Sequence, residues 1–127
     1  NYRQSTNTLQ MYHYLKKHGI PDENILLFMP DSIACNSRNN IPGTISCNDM
    51  EAEPNLYTDL EVDFKYSEAS SKNWLNTIRK RYLPDLPYRR RLRSNDNSIV
   101  FVYITGHGGD GYLKVQDTDI MMDFDFA

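Results

Sequence analysis

Ile99-Val-Phe-Val-Tyr-Ile104, followed by Thr105-Gly-His-Gly-Gly109, decides the fold class of this chain. The run is apolar on both faces and rich in β-branched and aromatic residues, and polar Ser94-Asn-Asp-Asn-Ser98 bounds it. Two-sided apolar character marks a central strand of a parallel sheet, because both faces of such a sheet are covered. A histidine between glycines then falls at the carboxyl end of that strand, where open α/β sheets place their chemistry. Glycine at such a point lets a substrate backbone come close. His107 is therefore a candidate base, with a satisfied loop histidine as the other reading of the same residues. Gly106, Gly108 and Gly111 also spell G-x-G-x-x-G. That fingerprint needs glycines that open a helix, and Tyr112-Leu-Lys-Val115 is strand-like instead.

Upstream of the run, the chain alternates between helical and extended patterns. Ser5 to His18 is predicted as a helix, with Leu9, Met11, Tyr12 and Leu15 on one side. Lys16, Lys17 and His18 crowd its last turn, Gly19 suits the C′ position, and Pro21 blocks continuation. Ile25-Leu-Leu-Phe-Met29 is expected to be a second buried parallel strand. Asp31 to Tyr57 is rich in Asn, Ser, Pro and Gly and is predicted to be a long loop, a kind usually functional or mobile. Glu61-Val-Asp-Phe64 is expected to be a short strand. Ser67 to Tyr82 is predicted as a helix with Trp74, Leu75, Ile78 and Tyr82 on one stripe and Trp74 in the core. Pro84 to Asn97 is a basic, polar loop. Tyr112 to Val115 is expected to be a short strand or hairpin arm, and Asp123 to Ala127 the start of a helix. Helices alternating with strands imply an α/β domain around a mostly parallel sheet.

With 127 residues, the chain holds at most one ordinary domain. A formal charge of −3 gives no reason to expect a nucleic-acid partner. The basic runs Arg79-Lys-Arg81 and Arg89-Arg-Arg-Leu-Arg93 are expected to be a solvated loop, with contact to a partner subunit as the next reading. No segment approaches the roughly 20 apolar residues of a membrane helix, and no leader peptide is visible. Both ends look like cuts through a larger protein. Cys35 and Cys47 are too few for a disulfide scaffold and wrongly spaced for a zinc site. They are open to three fates: free thiols, pairing with each other, or pairing with another chain. His13 and His18 are expected at the surface with no role.

Asn1-Tyr-Arg3, Gly19-Ile-Pro-Asp22, Ala34-Cys-Asn36, Val62-Asp63 and Ile104-Thr-Gly-His-Gly-Gly109 together resemble the legumain-type, caspase-like cysteine peptidases. Gly106 stands where legumain itself has an acidic residue. Leu113-Lys114 and Gln116-Asp117 favour the branch that transfers acyl groups to glycosylphosphatidylinositol (GPI) lipids. The resemblance implies that residues 1–127 are the N-terminal part of one caspase-like catalytic domain, with a mostly parallel central sheet flanked by helices. It implies a cysteine-dependent acyl transfer, in which a histidine activates a thiol that attacks a peptide carbonyl.

By that resemblance His107 is the base, Gly108 lends its N–H to an oxyanion hole, and Asn1 orients the histidine. From residues alone Asn1 is an ordinary terminal residue. Arg3 would lie near the substrate pocket, although Gln4 replaces the histidine that commonly follows Asn-Tyr-Arg. The nucleophile would lie roughly 40–50 residues beyond the histidine, so residues 1–127 alone are expected to be inactive. Asp22, Glu61, Asp63 and the Val62 carbonyl are candidate ligands of a structural calcium ion, and the chemistry requires no cofactor. Cys35 is the candidate for a disulfide to another subunit of a membrane-bound complex in the endoplasmic reticulum lumen. The implied substrates are a precursor's C-terminal signal peptide and a GPI lipid, with no nucleic acid. Two other functions fit the same resemblance: a legumain-like asparaginyl endopeptidase and a non-catalytic caspase-like binding module.

Overall fold

The computed structural model describes residues 1–47 and 54–126, so Ala127 and part of the long loop from Asp31 to Tyr57 lie outside the described residues. Helix α1 spans Tyr2–Lys17, three residues earlier than the apolar pattern predicts. The early start comes from Asn1, whose side-chain oxygen accepts a hydrogen bond from the Gln4 N–H at 3.2 Å. That is an N-cap, which satisfies one of the orphan donors of the first turn. At the other end, the His18 N–H closes onto Leu15 and Tyr14, and Gly19 takes φ +87°, open to glycine without a Cβ penalty.

Strand β1, Phe28–Met29, pairs in parallel with β2, Phe64–Lys65, in the register Phe28 to Phe64. Each strand is shorter than predicted, because this ladder closes with the bonds from the Asp63 and Phe64 N–H groups to the Leu27 carbonyl. Alternation sorts the residues of β1 between two faces. Leu27 and Met29 join Leu9 and Tyr12 of α1, with Ala34, Ile45 and Leu56, in one buried core. Phe28 turns the other way and stacks on Phe64, with ring centroids 4.1 Å apart.

Helix α2 is Ser71–Ile78, shorter at both ends than predicted. Ser70 caps it, and Asp119 anchors Ser71 through both the backbone N–H and the hydroxyl. Lys80 ends it at φ +54°. Tyr82 therefore leaves the helical stripe, and its hydroxyl accepts from the Leu92 N–H at 2.8 Å. Trp74 is half-buried against Phe126 and is not a core residue.

Downstream, β3 (Gly108–Gly109), β4 (Tyr112–Lys114) and β5 (Ile120–Met122) form an antiparallel sheet. Gly111 turns the first hairpin at φ +74°. A strand therefore follows these glycines and not a helix, which removes the dinucleotide reading. Asp123–Phe126 form a short 3₁₀ turn.

The fold is α/β, but parallel pairing among the described residues is confined to β1 and β2. Ile99 to Ile104, expected to be a buried central strand, makes no ladder and is exposed, from 98% at Ile99 to 38% at Ile104. The physical reason is the lack of a neighbour among the described residues: an extended segment gains burial only when sheet and helices flank it.

The basic loop is not a freely solvated one. Arg90 pairs with Glu68 at 3.1 Å and lies over the Phe64 ring, and Arg91 donates to the Leu86 carbonyl. Arg93 binds the Glu23 carbonyl and sits over Tyr88. Arg90 and Arg93 fasten the loop to the body of the chain, and Arg91 closes it on itself.

Candidate active site

The first turn of α1 and the loop that follows the apolar run meet, although they are about a hundred residues apart in sequence. Asn1 Nδ2 lies 2.9 Å from His107 Nε2. Two residues earlier, Thr105 Oγ1 donates a hydrogen bond to Gln4 Oε1. On its other side, the His107 carbonyl accepts from the Lys114 N–H at 2.7 Å, which opens the β3–β4 pairing. The imidazole itself is exposed. It stands on a cleft of about 350 Å³ whose walls include Asn1, Gln4, Asp31, Trp74 and Thr105. An exposed imidazole with one nitrogen held by an amide meets the geometric need of a general base, which must be both oriented and reachable.

The glycines around His107 have a local cause. A Cβ on Gly106 would stand 2.9 Å from the Lys114 carbonyl oxygen, and one on Gly108 3.0 Å from that of Tyr112. A Cβ on Gly109 would meet the Tyr112 ring at 2.4 Å. The glycines thus allow β4 to come close to the histidine loop. Gly108 is exposed at the start of β3.

Arg3 is exposed on the first turn of α1, outside the walls of this cleft. Cys35, on the 3₁₀ turn Ile33–Cys35, is an exposed free thiol. Cys47 is a free thiol packed half-buried against the core. Neither cysteine lines the cleft. His18 is exposed and binds the Tyr14 carbonyl, whereas His13 is half-buried and binds the Leu56 carbonyl at 3.0 Å. Expectation and structure differ for His13 because the loop carrying Leu56 folds over α1.

Asp22, Glu61 and Asp63 gather on the side of the core where β2 begins, and cations already face them. Lys16 Nζ lies 2.9 Å from Asp22, and Arg89 bridges Glu61 and Asp63. The Tyr12 hydroxyl donates to Asp22; this bond and Lys16 hold the Asp22 carboxyl below the usual carboxylate range. Burial, followed by the bond to Asp22, pushes the Tyr12 phenol up to about 12. Asp63 is buried, and that burial pushes its carboxyl up even though it accepts the Leu27 N–H at 2.9 Å. Among the described residues, no three His, Cys, Asp or Glu side chains are placed to hold a metal ion. With Lys16 and Arg89 in position, the donor set does not fit calcium.

Two long-range contacts escaped the sequence reading: Gln4 with Thr105 at the site, and Asp119 with Ser71 at the start of α2. No local pattern marks either, since each joins side chains tens of residues apart.

The whole chain, residues 1–127, matches the peptidase C13 family. The chain belongs to that family. Among curated relatives, the GPI-anchor transamidase of Saccharomyces cerevisiae is 41% identical over 128 residues, which cover 100% of this chain and 31% of the relative. The GPI-anchor transamidase of Homo sapiens is 42% identical, covering 100% of this chain and 32% of its own. A putative GPI-anchor transamidase of Caenorhabditis elegans is 39% identical, with 100% and 40% covered. This C13 chain therefore spans between 31% and 40% of the length of these relatives. No helix among its described residues is long and apolar enough to cross a membrane.

Proposed function

We propose that residues 1–127 are the N-terminal part of the caspase-like catalytic domain of a GPI-anchor transamidase, and that His107 is its general base. The observation that carries this is the Asn1–His107 contact at 2.9 Å, made by an imidazole exposed on a cleft. The relatives' names and the family match add the class of reaction. His107 takes the proton of a cysteine thiol supplied by chain outside these residues. The sulfur attacks the carbonyl carbon at the cleavage site of a C-terminal signal peptide, and the Gly108 N–H faces the developing oxyanion. As the C–N bond breaks, the imidazolium returns its proton to the leaving amine, and a thioester remains. The amine of a GPI ethanolamine phosphate then attacks the thioester, forms the amide and releases the thiol. Arg3 is assigned to the extended substrate, beyond the cleft itself.

In the complete domain, Ile99 to Ile104 serves as a strand of a mostly parallel sheet. A cavity of about 580 Å³ between Phe28, Trp74 and this run is room for a neighbouring segment. Calcium bound by Asp22, Glu61, Asp63 and the Val62 carbonyl would require both Lys16 and Arg89 to withdraw, and no step depends on it. Cys35, exposed on its turn, is assigned a disulfide to another subunit of a membrane-bound complex in the endoplasmic reticulum lumen.

The test uses the full-length protein in its complex, with a GPI-signal peptide as donor and hydrazine as an amine acceptor. His107→Ala is expected to lower hydrazide formation by about 10²- to 10⁴-fold. Wild-type rates in this variant overturn the base assignment, and peptide release with no hydrazide product points to a hydrolase. Cys35→Ser is expected to abolish the linked species on non-reducing electrophoresis; persistence of that species overturns the bridge.

A further inference from the structure

We infer that Gln4 is a positioning residue for His107, acting through Thr105; this rests on the assignment of His107 as the base. Two of the hydrogen bonds of Gln4 have different consequences here. Its backbone N–H donates to Asn1 Oδ1 at 3.2 Å, and its side-chain Oε1 accepts from the Thr105 hydroxyl.

The first bond fixes the polarity of the Asn1 amide. An N–H can be met only by an acceptor, so the amide oxygen faces Gln4 and Nδ2 faces His107. Nδ2 lies 2.9 Å from His107 Nε2 and holds that edge of the ring. The helix cap and the imidazole contact share one amide.

The second bond fixes the loop. Thr105 lies two residues before His107, and both Gln4 and Thr105 are half-buried, so the hydroxyl has little water as an alternative partner. Lys114 holds the carbonyl of His107 from the opposite side. The histidine backbone is thus gripped from α1 through Gln4 and from β4 through Lys114. Between these grips lies Gly106, a residue with no side chain to stiffen the segment, so without Gln4 the imidazole keeps its Asn1 partner but loses its fixed approach to the cleft. Misplacement of about 1 Å in a catalytic group can cost two orders of magnitude in rate.

Gln4→Leu removes only the side-chain bond. The backbone cap survives, and leucine is a good helix former. In the full-length protein in its complex, Gln4→Leu and Thr105→Val are each expected to lower kcat about five- to tenfold with KM unchanged. The double variant is expected to be no worse than either single one, since both remove the same bond. Gln4→Glu and Thr105→Ser keep acceptor and donor and are expected to restore most of the rate. A merely structural role would give none of this rescue pattern at equal thermal stability. Full kcat in Gln4→Leu, or losses that multiply in the double variant, overturn the positioning role alone. Full kcat in His107→Ala overturns the base assignment and this role with it.

Discussion

The two ends of this chain reach order by different means. From α1 through β2, apolar residues from helix, strand and loop close on one another, and Leu9, Ala34, Ile45 and Leu56 are fully buried at 0% exposure. In the later region an even more apolar stretch, Ile99 to Ile104, lies open, with Ile99 at 98% exposure. Composition does not separate them; the presence of a neighbour does. Burial rewards an apolar side chain only when other elements arrive on its face. What organises the later region is backbone fit: glycines that let β4 lie against the histidine loop, and side-chain anchors such as Asp119 on Ser71. The histidine stands where the two regions meet, its side chain held from α1 and its carbonyl from β4.

This contrast can be broken most directly by truncating one apolar residue in each region. In residues 1–127, Leu9→Ala is expected to cost about 2–5 kcal/mol of unfolding free energy. Val102→Ala is expected to cost under about 0.5 kcal/mol, as at exposed sites. In the full-length protein the Val102 cost is expected to exceed about 1 kcal/mol, from burial of its methyl groups. Denaturant unfolding of the three variants decides it, and an equally small Val102 cost in both lengths refutes the proposed central strand.

A smaller effect probes backbone fit. Gly106→Ala forces a Cβ to 2.9 Å from a backbone oxygen that cannot turn aside, and is expected to cost about 1–3 kcal/mol. Gly109→Ala meets a partly exposed Tyr112 ring that can rotate away, so its cost is expected to be the lesser. Thermal unfolding of the two variants ranks them, and the reverse order would show that the close approach of β4 does not set this loop.

The least effect concerns charge at the edge of the packed region. Folding lowers the Asp22 carboxyl, so its contribution is present above the usual carboxylate range and is lost as pH falls through the lowered value. Asp63 has the opposite sign: burial raises it, so its share is greatest in acid and is lost as pH rises. Tyr12, raised from 10.0 to about 12, stabilises the fold below pH 10 and loses that contribution between pH 10 and about 12. Asp22→Asn is expected to flatten the acid side of the stability curve, and Tyr12→Phe the alkaline side. Stability against pH for both variants checks the signs, and unchanged slopes would place the charges outside the folding balance.

Much of the local structure was legible. The end of α1 follows from Lys16, Lys17, Gly19 and Pro21, and the hairpin arm at Tyr112 from the strand-like residues after Gly111. Its beginning was missed by three residues, because a lone asparagine ahead of a weakly apolar turn does not announce itself as a cap. The arginines of residues 89–93 read as solvated, since no local pattern shows that Glu68, Phe64 and Glu23 wait for them. His107 was legible from its glycines, but the structural reason for those glycines, contact with β4, was not.

The sequence by itself determined the short-range features, in which donors, acceptors and allowed dihedrals lie within a few residues: the stop of α1, the strand-like residues after Gly111, the histidine's loop and the family motifs. Only the tertiary structure decided that Asn1 and Gln4 face His107 and Thr105, that Arg89 meets Glu61 and Asp63, and that one apolar run is packed while another lies open. Those outcomes depend on which distant segments arrive beside each residue, and a side chain's chemistry names its acceptable partners without choosing among them.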